Sequence, residues 1–160
     1  MRQSEHLMQS RPAADAPGGT KPSLSVMLAS NDEQLALCRE LEDIADSLPS
    51  SVNRQKCIYA AQALSLLVKN SHDYEEKVFF PWLERQTWGD DSLEAILSRL
   101  RFEHCEDECY AEELSDVLMR LGRGDAVNME ATGYMLRGFF EARRRHIAFE
   151  RDHLLKYIRP

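Results

Sequence analysis

From Ser30 onward, apolar positions recur every three or four residues, the period of helices that each bury one face. Four such stretches are separated by residues that end helices. The first covers about residues 32–48: it follows the cap candidates Ser30 and Asn31, carries the stripe Leu35, Cys38, Leu41, Ile44 and Leu48, and stops at Pro49. The second runs from about residue 53 to 80, where Pro81 breaks or kinks it. After Gly89 the third begins, capped by Asp90 or Asp91, and reaches Leu121 ahead of Gly122 and Gly124. The fourth runs from about residue 128 to 157. At a rise of about 1.5 Å per residue the last three each span roughly 40 to 45 Å. Such lengths with short connections predict an all-α protein, an up-down antiparallel four-helix bundle. Nothing reads as a strand.

The opening of the chain follows a different pattern. Residues 1–23 hold Pro12, Pro17, Gly18, Gly19 and Pro22 among isolated apolar positions, so burial cannot offset the entropy of ordering them. They read as a flexible, disordered N-terminal tail, with His6 an incidental surface histidine, ahead of one bundle domain over residues 24–160. A length of 160 residues, 43% of them hydrophobic, supports one well-buried core and is too short for two.

Charge and cysteine usage narrow the class. Asp and Glu number 27 against 20 Lys and Arg, and the formal charge of -7 disfavours nucleic acid and anionic membranes as partners. The chain lacks both the roughly 18 to 20 apolar residues of a membrane span and, near its start, the apolar stretch of a secretory signal, which predicts a cytoplasmic protein. In that compartment Cys38, Cys57, Cys105 and Cys109, none in C-x-x-C spacing and all within predicted helices, read as reduced thiols.

Polar residues interrupt the apolar stripes at three places. In the second helix Ala61, Leu64 and Val68 lead to His72 and Glu76; in the third, Leu93, Leu97 and Leu100 lead to His104 and Glu108 before the stripe resumes. In the fourth, Leu136, Phe139 and Arg143 lead to His146 and Glu150. The segments HDYEE, HCEDE and HIAFE thus put His and Glu at i and i+4 on the inward faces of three helices. Residues so spaced lie one above the other and can converge between helices, where imidazole and carboxylate together suit a non-haem metal. The ordinary alternative is a surface pair on an acidic helix. Burying three histidines and three carboxylates with no cation is costly.

With these motifs in place, the chain resembles the hemerythrin-like (HHE cation-binding) domain family. The residues that carry the resemblance are His72 and Glu76 with the VFFPWL that follows, Glu103 and His104 with Glu108, and RRRHIAFE with His146 and Glu150. The resemblance covers nearly all of the chain beyond the tail. It implies an antiparallel bundle around two bridged non-haem iron ions, with His72, His104 and His146 as histidine ligands and Glu76, Glu150 and Glu108 as carboxylates. One departure stands out: the first helix, where the family has a histidine, offers only Gln34, so that either one iron lacks a ligand, or another residue substitutes, or the centre holds one metal or none. His153, one step beyond Glu150, is the substitute to examine; Glu75, three from His72, could ligate in place of Glu76, but Glu76 repeats the spacing of the other pairs, so Glu75 is expected to support the ligands, as is Arg143 by pairing with a carboxylate. Cys105 and Cys109 are expected to be small buried fillers that point away from the site. The aromatic set Tyr74, Phe79, Phe80, Trp82, Phe139, Phe140 and Phe149 reads as core.

The leading function is binding of dioxygen or another small diatomic or peroxide ligand at iron, for sensing, storage, carriage, iron homeostasis or detoxification of a reactive small molecule, and more an affair of binding than of enzymatic turnover. Two alternatives remain open. A ferritin-like di-iron oxidase or peroxidase is disfavoured because that fold uses Glu-x-x-His pairs, whereas this chain has His-x-x-x-Glu. A regulatory interaction module with a degenerate site, working as a homodimer or with a protein partner through a bundle face or the tail, is favoured only by the missing first-helix histidine.

Overall fold

The computed structural model describes residues 19–159. Across them run α1 (Leu24–Ser47), α2 (Arg54–Tyr74), α3 (Phe80–Gln86), α4 (Asp91–Arg123) and α5 (Met129–His153). A π-helical stretch, Glu75–Phe79, joins α2 to α3 as one rod, and a 3-10 turn, Leu155–Tyr157, follows α5. Four rods therefore make the antiparallel bundle, with α2 against α4 and α1 against α5 and α2. Residues 1–18 of the expected tail, His6 among them, lie outside the described residues. No helix among the described residues is long and apolar enough to cross a membrane.

The long helices start by one device. Ser23, Asn53, Asp90 and Asn128 each accept, through the side chain, the backbone N–H three residues on, and so satisfy a donor that the first turn leaves free. α4 also places Asp91 and Glu94 in its first turn and Arg120 and Arg123 in its last, complementing the helix dipole. It ends on Gly124 at φ 82°, the left-handed position that glycine occupies at least cost.

Three boundaries differ from the sequence reading. The fourth helix, expected to reach about residue 157, ends as α5 at His153 and gives way to the 3-10 turn. α1 starts at Leu24, ahead of Ser30 and Asn31, which lie within it. The earlier start has a tertiary cause: the Ser23 N–H donates to the Tyr74 hydroxyl at 2.9 Å, and Met27 is buried against the aromatic end of the core. Nor does Pro81 break the second rod. It falls in the first turn of α3, just after the π stretch, where the Phe80 N–H reaches back five residues to the Glu75 carbonyl. The wider turn accommodates a residue with no N–H to donate.

The core is in two apolar parts. One contains Leu41, Ile44, Leu64, Leu114, Leu118, Leu136 and Phe140; the other contains Met27, Phe79, Phe80, Leu83, Leu97 and Leu154. Of the aromatic set, Phe79, Phe80, Phe139 and Phe140 are buried, Tyr74 and Trp82 are half-buried, and Phe149 is exposed. All four cysteines are free; Cys38 and Cys57 are buried, and burial pushes both thiols up. Cys105 and Cys109 are exposed, correcting the expectation that they fill the core: Cys105 lies one position past the buried His104, about 100° round the helix, and Cys109 shares its face four residues on. Interposed between the apolar parts is a layer of buried polar side chains: Gln34, Ser71, His72, Glu75, His104, Arg143, His146 and Glu150.

Candidate metal centre

That layer is held by all four rods. α1 contributes Gln34, α2 and its π continuation Ser71, His72 and Glu75, α4 His104, and α5 Arg143, His146 and Glu150. Within it, Glu75, His104, His146 and Glu150 each direct one nitrogen or oxygen to a common point, with the four atoms within 4.8 Å of one another. His104 Nε2 is 2.9 Å from Glu75 Oε2, and His146 Nε2 is 2.7 Å from Glu150 Oε1. Neither approach has hydrogen-bond geometry. Among the described residues these four atoms, and Glu150 Oε2, are buried with no hydrogen-bond partner. Buried polar groups are ordinarily paired, so such a group of orphans marks a place for a further partner.

The electrostatics agree. Burial raises the Glu75 carboxyl above its ordinary range and the charge of Glu150 adds to it; burial likewise raises Glu150, against the pull of Glu75 and Arg143. His146 is pushed down to about 4, by burial first and by the Arg143 charge second. His104 loses by burial but gains more from Glu75 and Glu76, and its pKa is raised. Two buried carboxylates and two imidazoles form a mixed oxygen and nitrogen donor set that a divalent cation of the iron, manganese or zinc kind would neutralise. The residues fit such an ion.

The predicted site residues divide into two groups. His104, His146 and Glu150 meet at the cluster. The carboxylate that joins them is Glu75 rather than Glu76: three residues after His72 it stays on the inward face and is only 3% exposed, whereas the Glu76 side chain is 40% exposed. Glu76 accepts instead from Nδ1 of His104 at 2.7 Å, and Glu108 from Nδ1 of His72 at 3.0 Å. Each of these glutamates thus braces the histidine of the opposite helix, leaving the other ring nitrogen facing inward. His72 stacks on His104 with centroids 3.8 Å apart, and its Nε2 accepts from Arg143 Nη1 at 3.1 Å. Burial and the neighbouring charged groups keep His72 well below the ordinary histidine range. His153 is exposed beside Phe149 and takes no part in the cluster; the fourth helix has ended its last full turn there.

Four residues assume roles that spacing did not assign. Arg143 pairs with Asp107 Oδ2 at 2.7 Å, not with a cluster carboxylate, and donates through Nη2 to Gln34 Oε1 at 2.6 Å. Gln34 passes the chain on, its Nε2 donating to Ser71 Oγ at 2.9 Å, and Ser71 donates to Glu75 Oε1 at 3.1 Å. That directed relay orients Glu75 and leaves its Oε2 for the cluster. Asp107 and Ser71 were missed, although both share a face with recognised residues: Asp107 is three past His104, and Ser71 four before Glu75.

Comparison with known proteins bears on this layer. The profile of the family described as Hemerythrin HHE cation binding domain matches residues 23–158. No curated protein and no solved structure matches the chain significantly.

Proposed function

Because the chain belongs to the hemerythrin HHE cation-binding domain family, we propose that its buried layer binds non-haem iron through Glu75, His104, His146 and Glu150 and presents it to dioxygen or a peroxide. The observation that carries this reading is the convergence of four buried, otherwise unpartnered donor atoms from three rods. When bound, iron supplies a Lewis-acidic, redox-active centre for a small oxygen-containing ligand. The chain's own residues provide the rest. Glu76 holds the His104 ring with Nε2 inward, the Gln34 and Ser71 relay holds Glu75, and Phe80, 5.6 Å from the His104 ring, walls the site from water.

Access is provided between α4 and α5. A cleft of about 770 Å³ there is lined by Leu100, Ala142 and Phe149 and reaches His146, which is 6% exposed. A diatomic molecule or a peroxide fits this route, and a second, smaller cleft of about 360 Å³ between α1 and α2 reaches Glu75. Such a site suits sensing, carriage or iron homeostasis rather than turnover of a bulky substrate.

The test is metal analysis of protein loaded anaerobically with ferrous iron, joined to its visible absorption before and after oxygen. Bound iron whose absorption changes with oxygen supports the proposal. A protein that stays metal-free after loading overturns it.

A further inference from the structure

We infer that Arg143 occupies the place of a second cation, so that the chain holds one metal ion where a two-iron centre has two. The inference rests on the metal reading above and concerns the count. Apart from the four converging residues and Ser71, whose hydroxyl serves the relay to Glu75, the inward-facing donors of the layer are His72 Nε2 and Gln34 Oε1, with Asp107 Oδ2 at its edge. All three surround the Arg143 guanidinium: Nη1 lies 3.1 Å from His72 Nε2 and 2.7 Å from Asp107, and Nη2 lies 2.6 Å from Gln34.

One imidazole nitrogen, one carboxylate oxygen and one amide oxygen are a ligand set for a metal, and here they are satisfied by a permanent cation. Arg143 is only 2% exposed and reaches this position from α5, one turn before His146. The arrangement also accounts for Gln34 on α1. A neutral amide accepts from the guanidinium and donates onward to Ser71, as the relay to Glu75 requires.

The experiment measures ferrous iron per chain in full-length protein loaded anaerobically, using elemental analysis and titration, for wild type, Arg143→Ala and His72→Gln. The inference expects one ion per wild-type chain, two in Arg143→Ala, and one in His72→Gln with affinity changed less than about tenfold. Two ions per wild-type chain overturn it while leaving the metal reading standing; no ion overturns both. A folded Arg143→Ala protein that still takes one ion also overturns the arginine's role. Should that variant lose its helical circular dichroism, His72→Gln decides: retention of the single ion supports the inference, and its loss overturns it because His72 is then a ligand.

Discussion

His104 donates through Nδ1 to Glu76 on the neighbouring rod, 2.7 Å away, and not to Glu108 four residues along its own helix. Glu108 accepts reciprocally from His72 at 3.0 Å. The His-x-x-x-Glu spacing in these two helices therefore works between helices: each glutamate fixes the ring orientation of the other helix's histidine. Only in α5 do the two members of a pair, His146 and Glu150, face the same point.

Glu76→Gln tests that bracing. The amide keeps the shape but is a weaker acceptor for the His104 N–H, and loss of such a support lowers metal affinity by about 10- to 100-fold. Competition with a fluorescent chelator should show this loss with stoichiometry unchanged. An unaltered affinity would show that Glu76 does not orient His104.

Removal of the ion should destabilise the fold. A ligand bound at 100 times its Kd adds about 2.7 kcal/mol to stability, so chelation should lower the melting temperature of iron-loaded protein. His104→Ala should lose the ion and with it any response to chelator, and should melt below the ion-free wild type because Glu75 and Glu76 lose their partner. Equal melting of His104→Ala and loaded wild type would refute the placement of His104 in the layer.

The ion-free protein should weaken as pH rises. Glu150 has its folded pKa raised above the ordinary 4.5, so between 4.5 and that raised value the folded chain holds a proton that the unfolded chain has released. Stability from this group is present below 4.5 and is lost as pH climbs through the folded pKa; Glu75 has the same sign. His146, lowered to about 4, works oppositely, its cost growing as pH falls from 6.5 toward 4. Glu150→Gln mimics the protonated form and should reduce the loss of stability between pH 5 and pH 8, measured by denaturant titration in chelator. Identical pH slopes would mean that Glu150 is ionised in the ion-free fold.

A substitution remote from the layer should separate stability from binding. Asn128 accepts from the Ala131 N–H at 2.9 Å and caps α5. Asn128→Ala should cost about 1 kcal/mol, seen as a lower denaturation midpoint, while iron per chain stays the same. A drop in iron content would indicate that fraying of α5 reaches His146.

The bundle was legible because helical periodicity is local. Leu64, Val68, Leu97, Leu114, Leu118 and Leu136 fall on the inward stripes that their spacing requires and are buried. Gly124 and the caps Asn53, Asp90 and Asn128 marked their helix ends by chemistry that acts within one turn. The start of α1 was not legible, since it depends on Tyr74, which lies 51 residues away from its partner Ser23.

For the site, the sequence by itself determined that histidine and glutamate interrupt the core stripes of three helices, which placed a polar layer between apolar ends and identified the family. Tertiary structure alone decided which carboxylate enters it. Glu75 and Glu76 are adjacent and both plausible in phase with His72, and the choice depends on the partners awaiting each: Ser71 and the cluster for one, His104 Nδ1 for the other. The same holds for Arg143, whose place on the inward face was readable but whose three acceptors lie on three different helices. Spacing along a chain fixes the direction of a side chain from its own helix; what it meets there depends on the register of rods joined by distant turns.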